Sequence, residues 1–516
     1  MFAWAQSQIP SLYIRQGPAT CVVVYLAVLL WIPAIKVPML LWLGVEILWL
    51  AYFTCYLLPQ LTSFRPEDSC KPLLAEDVNR LIDNIVFLIR KDRHTFWSHV
   101  TGKACSTGSI PASTARCFVK SLMFFYDECH HYTTPEQTEL YENAVTRVKE
   151  ACGGFAEENV DDISNHIPNH IRSWVDDDHL GDLVRCTPLV MILVTEAVRA
   201  LTLVVVLIFG FRRGHVHSPS GVECWVWDPP TLAVESRPLV LLPGAGFGLT
   251  SFLPLALLLQ NRLPHRRIIL YRLPWVEMCR PWVVLPQWSS VITGLKEGFK
   301  VVGLNDCEID VLGHSYGTAV ANRLLRELCT SGSEVFNEEQ EVPPRIHFVG
   351  LLDPIVLGGA STGLSGFTIN QVGPDLSFAF CGNRAGNGTK EILDYDPCIN
   401  NQCMGGISVY MSAHDQLVDV DLARHILVKD VIPLDSPRSS HVQLCVDRTE
   451  DSFHGRWLVE IWCGGLLWGA PCATNCLNLL SSRLGMTSHS GDCGVKATVC
   501  YDVITSPIEN ENDTEK

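Results

Sequence analysis

The stretch that decides the fold is Glu308-Ile309-Asp310-Val311-Leu312-Gly313-His314-Ser315-Tyr316-Gly317-Thr318-Ala319-Val320. Residues 308–312 read as a short apolar strand and residues 318–328 as a helix. The five residues between them are G-x-S-x-G in a strand–turn–helix setting. Such a turn is tight, and a side chain two residues before or after the serine would collide with the strand or the helix. That is why Gly313 and Gly317 flank the turn. The serine hydroxyl is expected above the sheet, and the helix start behind it favours negative charge developing there.

Working outward, residues 222–227, 238–242, 267–271, 347–352, 407–411 and 442–446 also read as strands. Residues 420–428 read as a further helix between two of them. Near-continuous apolar strands alternating with helices predict an α/β fold, a mostly parallel sheet covered by helices on both faces.

A serine hydroxyl is a weak nucleophile at neutral pH and needs a base, itself oriented by an acid. Strand 407–411 leads into Ser412-Ala413-His414-Asp415, so Asp415 stands just past a strand end, where an orienting carboxylate belongs. Asp353, in Leu352-Asp353-Pro354, is the alternative acid, with a turn-forming Asp-Pro as its plainer reading. After strand 442–446, the loop ending in Phe453-His454-Gly455 offers His454 as the base. His441 precedes that strand, on the wrong edge, and His414 adjoins Asp415 but faces away from it. An oxyanion hole needs two backbone N–H donors. Tyr316 supplies the first, and Ala245, in Pro243-Gly244-Ala245-Gly246-Phe247-Gly248, supplies the second. That loop is G-x-G-x-G rather than G-x-G-x-x-G, and no G-x-x-x-x-G-K-[ST] occurs, so dinucleotide and phosphate-loop readings are weak.

From about 238 to 458 the chain resembles the α/β-hydrolase superfamily, and more narrowly its membrane-bound eukaryotic lipase- or esterase-like members with N-terminal transmembrane segments. The resemblance rests on residues 313–317, 351–354, 411–418 and His454, with 243–248 as the oxyanion loop. It implies Ser315 as nucleophile, Asp415 as acid and His454 as base, with no metal or organic cofactor. It implies a membrane-bound serine hydrolase that cleaves carboxylic esters, lipid or acylglycerol substrates among them, through an acyl-enzyme. Two departures stand out: Pro243 occupies a place where many members carry histidine, and the surroundings of His454 are only loosely typical. An acyltransferase or thioesterase with the same triad remains open, as does a catalytically inactive membrane scaffold, because fold does not choose function.

Length and composition frame this reading. The chain has 516 residues, enough for two or three units. Its 39 basic and 55 acidic residues give a net charge of -16, which repels phosphate backbones and speaks against a nucleic-acid partner. With 47% apolar and only 18% charged residues, and a mean hydropathy of +0.18, membrane segments are expected. The 21 cysteines are scattered and include no C-x-x-C pair, so a zinc site is not indicated. Runs 16–35 and 39–59 are each near the roughly 20 residues that cross a bilayer, and only Glu46 interrupts the second, placed near an interface. The expected organisation is a membrane-anchoring hairpin at 1–61, a helical region at 62–220 and a hydrolase domain at 221–480. Within the second, apolar run 188–211 is a membrane, interfacial or core helix, with Glu196 and Arg199 close enough to pair across one turn. A cap insertion at 354–406 and a tail at 481–516 complete it, and the protein is expected to be integral to a membrane.

Overall fold

The computed structural model describes residues 36–59, 75–97, 110–123, 134–155, 186–231, 236–277, 286–331, 343–352, 406–412, 442–447 and 498–502. Short breaks fall at 58, 95, 215, 217–219, 232–235, 245–247 and 287.

In chain order the helices are α1 (Lys36–Tyr52), α2 (Ala75–Lys91), α3 (Ala112–Met123), α4 (Pro135–Ala151), α5 (Leu189–Ile208), α6 (Leu249–Arg262), α7 (Trp288–Val301) and α8 (Tyr316–Ser331). The strands are β1 (Arg212–Gly214), β2 (Glu223–Trp227), β3 (Leu239–Leu242), β4 (Ile268–Arg272), β5 (Glu308–His314), β6 (Arg345–Leu352), β7 (Gly406–Ser412), β8 (Val442–Asp447) and β9 (Thr498–Asp502).

The strands form one sheet in the order β1-β2-β4-β3-β5-β6-β7-β8-β9. Pairing is parallel from β4 through β8 and antiparallel at β1/β2, β2/β4 and β8/β9. The α/β expectation therefore holds, with antiparallel edges on a parallel centre. The seven strands read from sequence are present, each with ends within two residues of the expected ones. The strands β1 and β9 were not anticipated, and β9 lies inside the stretch taken for a tail. Helix 420–428 and the cap insertion lie outside the described residues.

Strand β3 lies between β4, which follows it, and β5. Because crossovers keep one hand, reversing direction along the sheet sends the next helix to the other face. Accordingly α6 packs with Leu239, Leu241 and Leu270 on one face, while α7 and α8 pack with Val240, Ile269 and Val311 on the other. The reversal leaves a crevice at the carboxyl ends of β3 and β5, where open α/β sheets bind ligands.

Ahead of the sheet, α2, α3 and α4 form a small bundle. Helix α2 buries Val78, Leu81, Ile82, Ile85 and Ile89, an i, i+3, i+4, i+7 stripe that gives it one apolar face. Helix α4 starts at a capping box: the Thr134 hydroxyl accepts from the Gln137 amide at 3.3 Å, and Gln137 Oε1 accepts from the Thr134 amide at 3.1 Å. An Arg147–Asp83 ion pair joins α4 to α2, and Arg116–Glu142, at 2.9 Å, joins α3 to α4.

Among the described residues, two stretches are long and apolar enough to cross a membrane, Leu40–Leu57 and Leu189–Ile208. Run 16–35 lies outside the described residues. Helix α5 is inverted relative to a helix of a water-soluble domain. Its inward stripe holds Ile192, Thr195, Arg199, Thr202 and Val206, and its outward face holds Leu193, Val194, Val198, Leu201, Val204, Leu207 and Ile208. Thr202 and Thr250 share a 2.9 Å hydroxyl–hydroxyl bond, which fastens α5 to α6. The two apolar helices also bind each other. The Glu46 carboxylate accepts from the Leu189 amide at 2.8 Å and the Val190 amide at 3.0 Å, and Trp49 Nε1 donates to Thr187 O at 2.8 Å. Pro188 at the start of α5 offers no side-chain cap of its own, so Glu46 satisfies free N–H groups that the helix leaves over.

Candidate active site

Ser315 sits between the end of β5 and the start of α8 at the β3/β5 crevice. Its φ is +50°, one of two non-glycine residues in the left-handed region among those described. A non-glycine residue held there is strained, and such strain collects where a side chain must be aimed. Four contacts enforce it. The Ser315 amide donates to Leu352 O at 2.9 Å, at the end of neighbouring β6. The Thr318 amide and hydroxyl donate to Ser315 O at 3.0 and 2.6 Å. The fourth is the close passage of chain at the flanking glycines.

A Cβ on Gly317 would lie 2.1 Å from Leu242 O, and one on Gly313 would lie 2.7 Å from Gly317 O. Both obstacles are backbone and cannot step aside. The collision inferred from sequence is thus present, and for Gly317 the obstacle is β3. Gly244 completes the set: its Cβ would meet Ser315 Cβ at 2.7 Å and His314 O at 2.9 Å. The chain after β3 therefore passes directly against the serine.

Tyr316 opens α8, and its ring stacks on Trp288 of α7 with centroids 6.2 Å apart and planes 7° apart. His314 lies against Phe252 of α6 with centroids at 5.8 Å. Helices from both faces of the sheet thus grip the residues on either side of Ser315. The serine is recessed, with 8% of its surface exposed. The packing of the 243–244 segment against it accounts for this cover.

No family model matches the chain, and no curated protein does. Solved structures that match include the naproxen esterase carboxylesterase NP of Bacillus subtilis, at 13% identity, covering 55% of this chain and 98% of the esterase, with a TM-score of 0.33. An esterase of Pyrococcus furiosus matches at 15% identity over 55% of this chain and 93% of its own, with a TM-score of 0.33. A bacterial membrane phospholipase A matches at 12% identity over 57% and 97%, with a TM-score of 0.33.

Of the residues singled out from sequence, Ser315 and Tyr316 stand together at the turn between β5 and α8. Ala245, Asp353, Asp415 and His454 lie outside the described residues. The backbone that leads to them is in place. Strand β6 ends at Leu352, beside β5 and one residue before Asp353, and parallel strands β7 and β8 end at Ser412 and Asp447, ahead of Asp415 and His454. All of these strand ends lie on the same edge of the sheet as Ser315, because β5 through β8 are parallel.

One residue near the site escaped the sequence reading. Glu277 follows β4 and is fully buried, 0% exposed. Arg272 grips it with a two-pronged contact, Nε to Oε1 at 2.6 Å and an Nη to Oε2 at 2.9 Å. Burial by itself would depress the Arg272 guanidinium, but its bonds to Glu277 and to Glu223 outweigh that and hold its pKa above the ordinary value. A carboxylate just past a strand's carboxyl end was a signal available in Leu273-Pro274-Trp275-Val276-Glu277. No group of three or more His, Cys, Asp or Glu side chains able to hold a metal occurs among the described residues.

Proposed function

We propose that this chain is a membrane-associated serine hydrolase acting on carboxylic esters of lipid-like substrates, acylglycerols among them. The observation that carries the reading is Ser315 at φ +50°, on a strand–helix turn at the sheet's reversal point, with the β3 loop pressed against it. A strained serine in a crevice of this kind is costly to maintain unless its hydroxyl is used.

In this reading His454 takes the Ser315 proton as Oγ attacks the acyl carbonyl carbon. The carbonyl oxygen becomes an oxyanion, held by the amides of Tyr316 and Ala245. Collapse expels the alcohol, which receives the proton from His454, and leaves an acyl-enzyme. Water, deprotonated by His454, releases the acid by the same path in reverse. Asp415 orients the imidazole and stabilises its cation. Support for the lipid class comes from the two apolar helices and the outward apolar face of α5, since an enzyme seated in a bilayer meets amphiphiles.

The test is covalent labelling with a fluorophosphonate, which traps an activated serine. The wild-type chain should label at Ser315, and Ser315→Ala should not label while accumulating normally. Labelling that persists in Ser315→Ala would sink the assignment.

A further inference from the structure

We propose that Glu277 is a positioning residue for the loop that follows β3, and that Arg199, on apolar helix α5, holds it in place. The proposal rests on the serine-hydrolase reading and deepens it by making the apolar helix part of the active-site support.

The described residues on either side of 245–247 are both anchored. Gly244 lies against Ser315, as described. At the other end Gly248, with φ +65°, opens α6 directly over Glu277. A Cβ on Gly248 would fall 2.2 Å from Glu277 Oε1 and 2.7 Å from its carboxyl carbon. The carboxylate therefore fills the space a side chain would take, and it fixes how low this end of the loop can sit.

Glu277 is itself fixed from two sides. The Arg272 fork holds both oxygens. From α5, Arg199 Nε stands 3.5 Å from Oε2, and the Arg199 side chain is 5% exposed. Arg199 also binds Glu196 at 2.5 Å, the pair anticipated from sequence. Glu196 alone would satisfy an arginine at the surface of the helix. The inward reach of Arg199 to a fully buried carboxylate is the unexplained part, and support of Glu277 explains it. Arg272 extends the chain of charges to Glu223 at 3.2 Å, and Arg213 reaches Glu223 at 3.3 Å. A charged relay thus runs from α5, past Gly248, to β2 and the edge strand β1.

Oxyanion donors act only when they are already in position as charge develops. A displacement of about 1 Å can cost roughly 10²-fold in rate. Removing the charge on Glu277, or its partner on α5, should loosen Gly248 and lower turnover while substrate binding is little changed.

The experiment uses the full chain in membrane preparations, with p-nitrophenyl butyrate as the ester and fluorophosphonate, reacted to completion, to count competent sites. In Glu277→Gln, kcat per labelled site should fall roughly 10²-fold with KM unchanged. In Arg199→Met it should fall about tenfold, and Arg199→Lys should recover most of that. A purely structural role would lower the number of labelled sites and leave kcat per site at the wild-type value; that result in both Glu277→Gln and Arg199→Met overturns the proposal. If Glu277→Gln does not accumulate, the two Arg199 variants decide alone. A wild-type chain that does not label at Ser315 overturns the hydrolase reading beneath, and with it this proposal, and is told apart because it needs no variant.

Discussion

Gly317 meets backbone on the side where a Cβ would grow, 2.1 Å from Leu242 O, so Gly317→Ala must push β3 and α8 apart. We expect a loss of roughly 1–3 kcal/mol or more in thermal unfolding, together with loss of fluorophosphonate labelling. Gly303 is the contrast. Its φ is +68° but nothing lies within 4 Å, so Gly303→Ala should cost only backbone strain, about 1 kcal/mol, with labelling retained. The acid is tested in the same way: Asp415→Asn should lower turnover by roughly 10⁴, and Asp353→Asn should be mild; the reverse pattern would move the acid to Asp353. At this scale the nucleophile was legible in the sequence because a turn of fixed length imposes collisions at fixed spacings. Glu277 was legible only as a carboxylate past a strand end with Arg272 five residues before it; its approach to Arg199 and Gly248, 78 and 29 positions away, is encoded by no local spacing.

Among the elements, α5 is held by contacts that its own sequence does not announce. Its first turn is capped by Glu46, a carboxylate inside another apolar helix. Glu46→Gln keeps the shape but removes the charge that favours a helix N-terminus. The amides of Leu189 and Val190 should then exchange hydrogen faster, by an amount matching about 1 kcal/mol of lost cap, while the exchange of β5 amides stays as it was. Unchanged exchange at both amides would mean that water caps α5 as well as Glu46 does. Strands β3, β4 and β6 were readable because most of their residues are apolar and buried on both faces. Strand β1, Arg-Arg-Gly, carries no such pattern; it exists because β2 offers an open edge to pair with. Strand β9 pairs with β8 across the 50 residues between Asp447 and Thr498, a distance at which pairing leaves no trace in a local window.

Taken whole, the molecule seats its sheet against an apolar helix rather than leaving it on a tether. Val206 of α5 is fully buried in the same apolar cluster as Phe252 and Leu270. Carbonate washing should leave the full chain in the membrane pellet, and its release would remove the basis for a lipid substrate. A chain beginning at Gly221 lacks α5. It should leave the pellet, but with Leu253 and Glu277 stripped of their cover it should unfold at a lower temperature than the full chain. Equal melting would mean that α5 contributes nothing to the sheet. The inverted pattern of α5 also bears on purification. Detergent molecules compete for the outward Leu201, Val204 and Ile208, and a harsh one that prises the helix away takes Arg199 with it. Ester turnover would then fail in detergents that leave the amides of β3 and β5 protected from hydrogen exchange, so that a well-folded preparation and an active one become two different things.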